Sequence, residues 1–403
     1  MRAKGGGAPP PLASRPMRLP RAPIGLVCAT ALAALVTASA SATPITPSRD
    51  DEVIEVLPAT SSGRSEDRQL RRRLAERPGD ARLAAAVAER YLAQARESGD
   101  PRFAGLALAA LAAWPDPVKA PNEILLLRAT LEQYLHEFDA AVAHLRILLA
   151  RPGGDGNPQA WLTLATVLRV QGRYADSDAA CHRIGVGVYA SACLAENAAL
   201  RGETAAARRS LQELLADARL PPQTRGWLLT SLAELEERDG RAAAADAAYR
   251  SVLRLGRDTY AAIAYADFLI AQKRPAEALA VLKDEARTDT VLLRLAIAAT
   301  RANAPSGERD VAEMRERIAL ANERPEASVF HGREQAMFAL AIDRDAERAL
   351  ALARGDVARQ REPLDLLVFA EAARASGRSD AIDEARRLKA SLGLHDRRID
   401  AVL

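Results

Sequence analysis

The chain has 403 residues, of which 49% are hydrophobic and only 4% are aromatic. Alanine and leucine dominate and β-branched runs are rare, a mixture that favours helices over strands. The formal net charge is +3, but residues 1–42 hold five basic residues and no acid, so the rest of the chain carries −2. This balance gives no electrostatic case for nucleic acid as a partner.

The first predicted element is a signal peptide over residues 1–42. Arg18 and Arg21 precede the uncharged apolar run Ile24–Val36, and small residues that suit a signal peptidase follow it. The run is too short to span a bilayer comfortably. We therefore predict an exported protein, periplasmic or otherwise secreted, that starts at Met17 and keeps no integral membrane span after cleavage. An uncleaved amphipathic anchor is the alternative.

Residues 43–68 have the composition of a flexible linker, with three prolines, a Ser-Ser-Gly sequence and many charges. Only the stretch 53–57 alternates enough to suggest a short strand. From Gln69 onward the helical pattern is nearly unbroken. The sequence therefore predicts one helical domain over residues 69–403.

The stretch Asn157–Ile184 shows the helical pattern most clearly. Apolar residues recur at i, i+3, i+4 and i+7 on either side of Gly172, which predicts two short helices joined by a tight turn. The residues that carry this spacing are Trp161, Leu164, Ala165 and Leu168 before the turn and Ser177, Ala180, Cys181 and Ile184 after it. This stretch predicts an antiparallel helical hairpin with Trp161 in its core.

The same unit recurs along the chain. Residues that interrupt the pattern stand at 136, 172, 202, 240 and 273, with separations of 36, 30, 38 and 33 residues. A period in the mid-thirties is typical of a solenoid, and helices of about a dozen residues need stacking on neighbours for stability. We predict an all-α superhelix of about nine helical hairpins.

This pattern resembles the tetratricopeptide repeat (TPR), a family of 34-residue helical hairpins. Beyond the hairpin at 157–184, the match extends over residues 122–285 through Leu194, Ala195, Gly202, Ala207, Leu211, Leu214, Leu232, Ala233, Gly240, Ala245, Tyr249, Val252, Ala266, Ala278 and Leu282. Three positions depart from it, because Leu168, Ala198 and Glu236 replace an aromatic residue of the first helix. An unrelated α-α superhelix is the structural alternative.

The resemblance implies a concave face, lined by the first helix of each hairpin, that binds a protein or peptide partner. The residues predicted to line this face are Gln159, Thr166, Arg169, Tyr189, Glu196, Trp227, Glu234, Glu237, Tyr260 and Asp267. Acidic residues accumulate in the middle units and aromatic residues recur near helix starts, so a basic or apolar segment would suit this face. The alternative is that these residues are simply the solvated side of the helices.

Cys181 and Cys193 fall on adjacent helices of successive hairpins. An exported protein meets oxidising conditions, so the two cysteines could form a disulfide. Both could equally fill apolar core positions as free thiols, and a metal site with His182 is a third alternative.

The sequence contains no motif that carries catalytic chemistry. The zinc-protease HExxH, the phosphate-binding GxxxxGK[ST] and the nucleophile elbow are all missing. We expect no cofactor, no metal and no enzyme activity. The predicted function is an exported scaffold or adaptor that binds protein, and the alternatives are the body of an envelope enzyme acting on peptidoglycan or a cytoplasmic TPR regulator.

Overall fold

The computed structural model describes residues 62–323 and 332–403, which all belong to the unit Thr60–Leu403. These residues form no strand; besides the α-helices they form a 3-10 helix at Gly154–Gly156 and a π-helix at Ala339–Asp343. The helices are α1 Ser62–Glu76, α2 Ala81–Ser98, α3 Pro101–Ala110, α4 Asn122–Tyr134, α5 Phe138–Leu149, α6 Pro158–Val170, α7 Tyr174–Arg183, α8 Val188–Leu200, α9 Thr204–Leu215, α10 Pro222–Arg238, α11 Ala242–Leu255, α12 Thr259–Ala271, α13 Pro275–Leu282, α14 Asp289–Ala302, α15 Gly307–Asn322, α16 Gly332–Phe338, α17 Ala346–Val357, α18 Pro363–Ser376, α19 Ser379–Leu392 and α20 Arg397–Val402.

The helices from α2 to α19 pair into nine consecutive hairpins among the described residues, and α1 and α20 flank them. The predicted all-α superhelix of about nine hairpins is confirmed. The predicted signal peptide 1–42 and most of the linker 43–68 lie outside the described residues, as does the suggested strand at 53–57. α1 begins at Ser62, so residues 62–68 are helical, whereas we predicted them as linker.

One residue with a positive φ angle marks the turn of each of these nine hairpins. These residues are Gly99, His136, Gly172, Gly202, Gly240, Lys273, Asn303, Arg344 and Gly377. In the hairpin of α6 and α7 the amide of Arg173, just after the turn, donates to the carbonyl of Leu168 over 2.8 Å. The same backbone bond recurs at Arg241 and Arg274, which is how a left-handed residue closes a helix C-terminus.

The structure corrects the predicted position of Trp161. Its ring is only partly buried, with the guanidinium of Arg183 4.9 Å from the ring centre. Its indole N–H donates to the carbonyl of Asp155 over 2.8 Å. An indole needs a partner for its N–H, so the ring lies at the rim of the hairpin, whereas Leu164, Leu168 and Cys181 form the buried core there.

At Gly154, in the loop between α5 and α6, the surrounding backbone leaves no room for a side chain. A Cβ atom on Gly154 would lie 2.0 Å from the carbonyl oxygen of Leu148, whereas one on Gly156 would meet nothing within 4 Å. We expect Gly154→Ala to lower the free energy of unfolding by about 2 kcal/mol or more, because backbone must move to relieve the overlap. Chemical denaturation measures this, and Gly156→Ala is the matched control. Equal stability of the two variants would contradict the prediction.

The superhelix returns on itself through its C-terminal hairpins. The amide of Arg361 donates to the carbonyl of Val170 at the end of α6, and the amide of His395 donates to Leu200 at the end of α8, both over 2.7 Å. Side chains of the same segments cover hairpin turns, since a Cβ atom on Gly172 would lie 2.5 Å from Leu392. The last carbonyls of a helix have no partner within the helix, so these bonds join distant hairpins without disturbing either.

A shared apolar core supports this closure. One buried cluster combines Tyr174 and Leu200 with residues between Ala336 and Ile399, including the fully buried Phe369. Three further clusters follow the chain from α2 to α16. Burial of apolar side chains from both regions stabilises the closed arrangement, which nearest-neighbour stacking of repeats does not provide.

Candidate functional site

Three adjoining cavities run along the first helices of the hairpins. The Trp227 cavity has a volume of about 370 Å³ and shares Glu234, Arg238 and Tyr260 with the Tyr249 cavity, of about 200 Å³. The Tyr249 cavity in turn shares Glu237 and Arg398 with the Leu367 cavity, of about 280 Å³. We call these three cavities together the channel. It is lined by the helices that the resemblance assigned to the concave face.

The structure brings most of the predicted binding residues to this channel. Eight of the ten line it, namely Thr166, Arg169, Glu196, Trp227, Glu234, Glu237, Tyr260 and Asp267. Tyr189 stands next to it, because its ring stacks on Trp227 with centroids 5.7 Å apart. Gln159 does not line it and instead contacts Thr163 on its own helix. That these residues bind a partner stays a prediction.

The acidic residues of the channel already have partners within the chain. The carboxylate of Glu196 lies 2.7 Å from Arg169, and that of Asp267 lies 2.9 Å from Arg294. The carboxylate of Glu237 lies 2.7 Å from Arg398. The predicted attraction for cations is therefore largely met by the protein's own arginines.

Tyr260 and Glu234 form the polar contact between the Trp227 and Tyr249 cavities. The hydroxyl of Tyr260 donates to the carboxylate of Glu234 over 2.7 Å. The negative charge of Glu234 raises the pKa of Tyr260, and burial in the channel wall raises the pKa of Glu234. The phenol therefore keeps its proton and remains a donor at neutral pH, while its ring, with 64% of the residue exposed, faces solvent.

Reasoning from the sequence missed the channel residues that come from the C-terminal hairpins. Arg294, Arg333, Glu362 and Arg398 all line the Tyr249 cavity. Arg398 lies 161 residues from Glu237, its partner. Local spacing carries no signal for such contacts, because they depend on how far the superhelix curves.

The structure joins Cys181 and Cys193 in a disulfide between α7 and α8, with Cα atoms 5.7 Å apart. Both residues are also buried in the core, so the disulfide and the apolar core position, which the sequence offered as alternatives, occur together. Among residues 62–323 and 332–403, no group of three or more His, Cys, Asp and Glu side chains is arranged to hold a metal ion. No helix in the same ranges is long and apolar enough to cross a membrane.

The assignment of the fold rests on the hairpins themselves. They repeat with the same left-handed turn, stack in chain order and direct their first helices to one channel. The described residues form an all-α superhelix of stacked helical hairpins, the fold that the sequence predicts.

Comparisons with known proteins add little to this assignment. No family model matches the chain, and no curated protein is significantly similar to it. Among solved structures, the likeness to yeast Tom70 covers 80% of this chain and 87% of Tom70, at 12% identity and with a TM-score of 0.26. The TPR domain of P58(IPK) covers 81% at 16% identity, over 93% of its own length, with a TM-score of 0.20. At these TM-scores neither likeness establishes a family or a function for this chain.

Proposed function

We propose that this chain is an exported, non-catalytic scaffold that binds an extended segment of a protein partner in the channel. The observation that carries the proposal is the convergence of eight predicted residues from α6, α8, α10 and α12 on this one channel. An extended segment fits cavities of about 200 to 370 Å³, whereas a folded domain does not.

Aromatic rings at the Trp227 cavity support a protein partner. Tyr189 is 47% exposed and stacks on Trp227, and Tyr260 is 64% exposed at the same cavity. Rigid aromatic side chains supply large contact area at a low cost in conformational entropy, which is why they dominate binding hot spots. These three rings belong to three successive hairpins, and so they would follow a segment that lies along the first helices.

Two features support export. The run Ile24–Val36 after Arg18 and Arg21 has the form of a signal peptide. The disulfide between Cys181 and Cys193 is a bond that persists outside the cytoplasm and is rare within it. The second feature favours export over the alternative of a cytoplasmic regulator.

Photo-crosslinking in the producing cell tests the proposal. A crosslinking amino acid at Tyr260 is expected to capture a protein partner, whereas one at Gln212, exposed on the second helix α9, is the matched control. The adduct should be in the exported fraction, and in denaturant its Cys181 and Cys193, which are buried in the folded protein, should resist alkylation until a reductant is added. Equal capture at both positions would contradict the channel as the binding site. Recovery from the cytoplasm with Cys181 and Cys193 as free thiols would contradict export.

A further inference from the structure

Arg398 stands at the point where the channel is divided. It lines both the Tyr249 cavity and the Leu367 cavity, and so do Glu237, Asp267 and Leu364. Arg398 comes from α20, the six-residue helix that follows the last hairpin. A side chain from α20 thus lines the proposed binding channel where the Tyr249 and Leu367 cavities meet.

The contacts of Arg398 show which chemical group the surrounding carboxylates bind. Its Nη1 donates to Oε1 of Glu237 over 2.7 Å, while Nη2 and Nε donate to the carboxylate of Asp396 over 2.7 and 3.0 Å. The other oxygen of Glu237 accepts from the hydroxyl of Tyr249 over 2.9 Å. The planar guanidinium thus uses different nitrogens for two carboxylates, a geometry that a lysine ammonium does not reproduce.

The acids around Arg398 come mostly from elements other than its own. Glu237 belongs to α10, Asp267 to α12 and Glu371 to α18, and all three line the Leu367 cavity. Asp396 alone belongs to the segment of Arg398. The acidic surroundings of the guanidinium would therefore remain in place if its side chain moved away.

We propose that Arg398 is an internal occupant of an arginine subsite built around Glu237, and that a partner segment carrying an arginine competes with it there. The inference rests on the proposed function for the existence of a partner, and it adds both the chemistry of that partner and the regulation of the channel. Displacement of Arg398 joins the Tyr249 and Leu367 cavities into one longer path. The closed chain is then an autoinhibited state, which an arginine-bearing segment opens.

Binding of a defined peptide tests this subsite. The probe is a fluorescently labelled Ser-Gly-Arg-Gly-Ser peptide, amidated at its C-terminus, and the control peptide carries neutral citrulline in place of arginine. We expect Arg398→Met to bind the arginine peptide about tenfold or more tightly than wild type in fluorescence anisotropy, since the internal competitor is gone. Arg397→Met removes a neighbouring arginine whose side chain is 65% exposed and should leave affinity unchanged. Adding Glu237→Gln to Arg398→Met should abolish the gain.

Two results would overturn the inference: wild-type affinity in a folded Arg398→Met variant, or equal gains for the arginine and citrulline peptides. Because Arg398→Met could also fail to fold, hydrogen exchange in the wild-type protein provides a second measurement. The arginine peptide should accelerate exchange of the α20 amides relative to the citrulline peptide, and identical exchange with both peptides would refute displacement.

The crosslinking experiment at Tyr260 separates this inference from the proposed function. A protein captured at Tyr260 together with no preference for the arginine peptide would reject the subsite and retain the scaffold. A preference for the arginine peptide together with no captured protein would retain the subsite and reject the scaffold.

Discussion

Replacement of Arg294 by alanine is expected to lower the free energy of unfolding by about 3–5 kcal/mol, since it breaks a buried ion pair. Arg294 is 1% exposed and lies 2.9 Å from Asp267 on α12 and 3.6 Å from Glu334 on α16. The variant leaves these two carboxylates without their shared cation in a poorly solvated position. Urea denaturation followed by far-UV circular dichroism measures the loss.

Two controls separate burial from charge. Arg250→Ala removes a side chain that is 50% exposed and pairs with Asp246 over 2.8 Å, and it should cost less than about 1 kcal/mol. The double variant Arg294→Met with Asp267→Leu should recover part of the loss, because it removes both charges of the Arg294–Asp267 pair and keeps the volume, while Glu334 retains Arg333 at 3.4 Å. A cost below that of Arg250→Ala would contradict the prediction that Arg294 joins α12, α14 and α16.

Replacement of Phe369 by alanine is expected to cost about 3–5 kcal/mol, because it leaves a cavity in a fully packed core. Phe369 is 0% exposed and belongs to the buried cluster that includes Tyr174 and Leu200. That cluster joins the C-terminal hairpins to α7 and α8, so we expect the closure to loosen as well. The amides of Arg361 and His395, which bond Val170 and Leu200, should exchange faster with solvent.

Phe268→Ala is the matched control for this second effect. Phe268 is 2% exposed, and its cluster contains residues between Ala233 and Phe338 only. We expect a comparable loss of stability without selective acceleration at Arg361 and His395. If both variants raised the exchange rates of the Arg361 and His395 amides equally, the closure would not depend on the Phe369 cluster.

The hairpins and most of their turns could be predicted from the sequence. Apolar spacing identifies a helix within a dozen residues, and glycines such as Gly172 and Gly240 mark turns because they adopt the left-handed conformation freely. Asn303 and Arg344 mark turns too, in hairpins that the helical pattern predicts although no glycine stands at the turn. The spacing of Trp161 predicts a core position. Its indole N–H requires a polar neighbour, however, so the ring lies at the rim of the hairpin.

Departures from the repeat pattern were visible in the sequence, but the partners that make a departing residue tolerable in the core were not. Glu236 stands where the TPR pattern has an aromatic residue, and it is only 3% exposed. Arg208, from the preceding hairpin, holds its carboxylate with two hydrogen bonds of 2.7 and 2.9 Å. A buried carboxylate needs such a partner, yet nothing in local spacing indicates which of the chain's many arginines supplies it.

The sequence by itself determined the helical hairpins, their period and most of the residues with which α6, α8, α10 and α12 line the channel. These properties depend on contacts between residues a few positions apart or in adjacent repeats, which periodicity records directly. Only the tertiary structure decided that the superhelix closes on itself, that Arg294 and Arg398 pair with the channel acids Asp267 and Glu237, and that Arg398 lines both the Tyr249 and the Leu367 cavities. Those contacts depend on curvature accumulated over many hairpins, to which each repeat contributes a small rotation that no local pattern specifies.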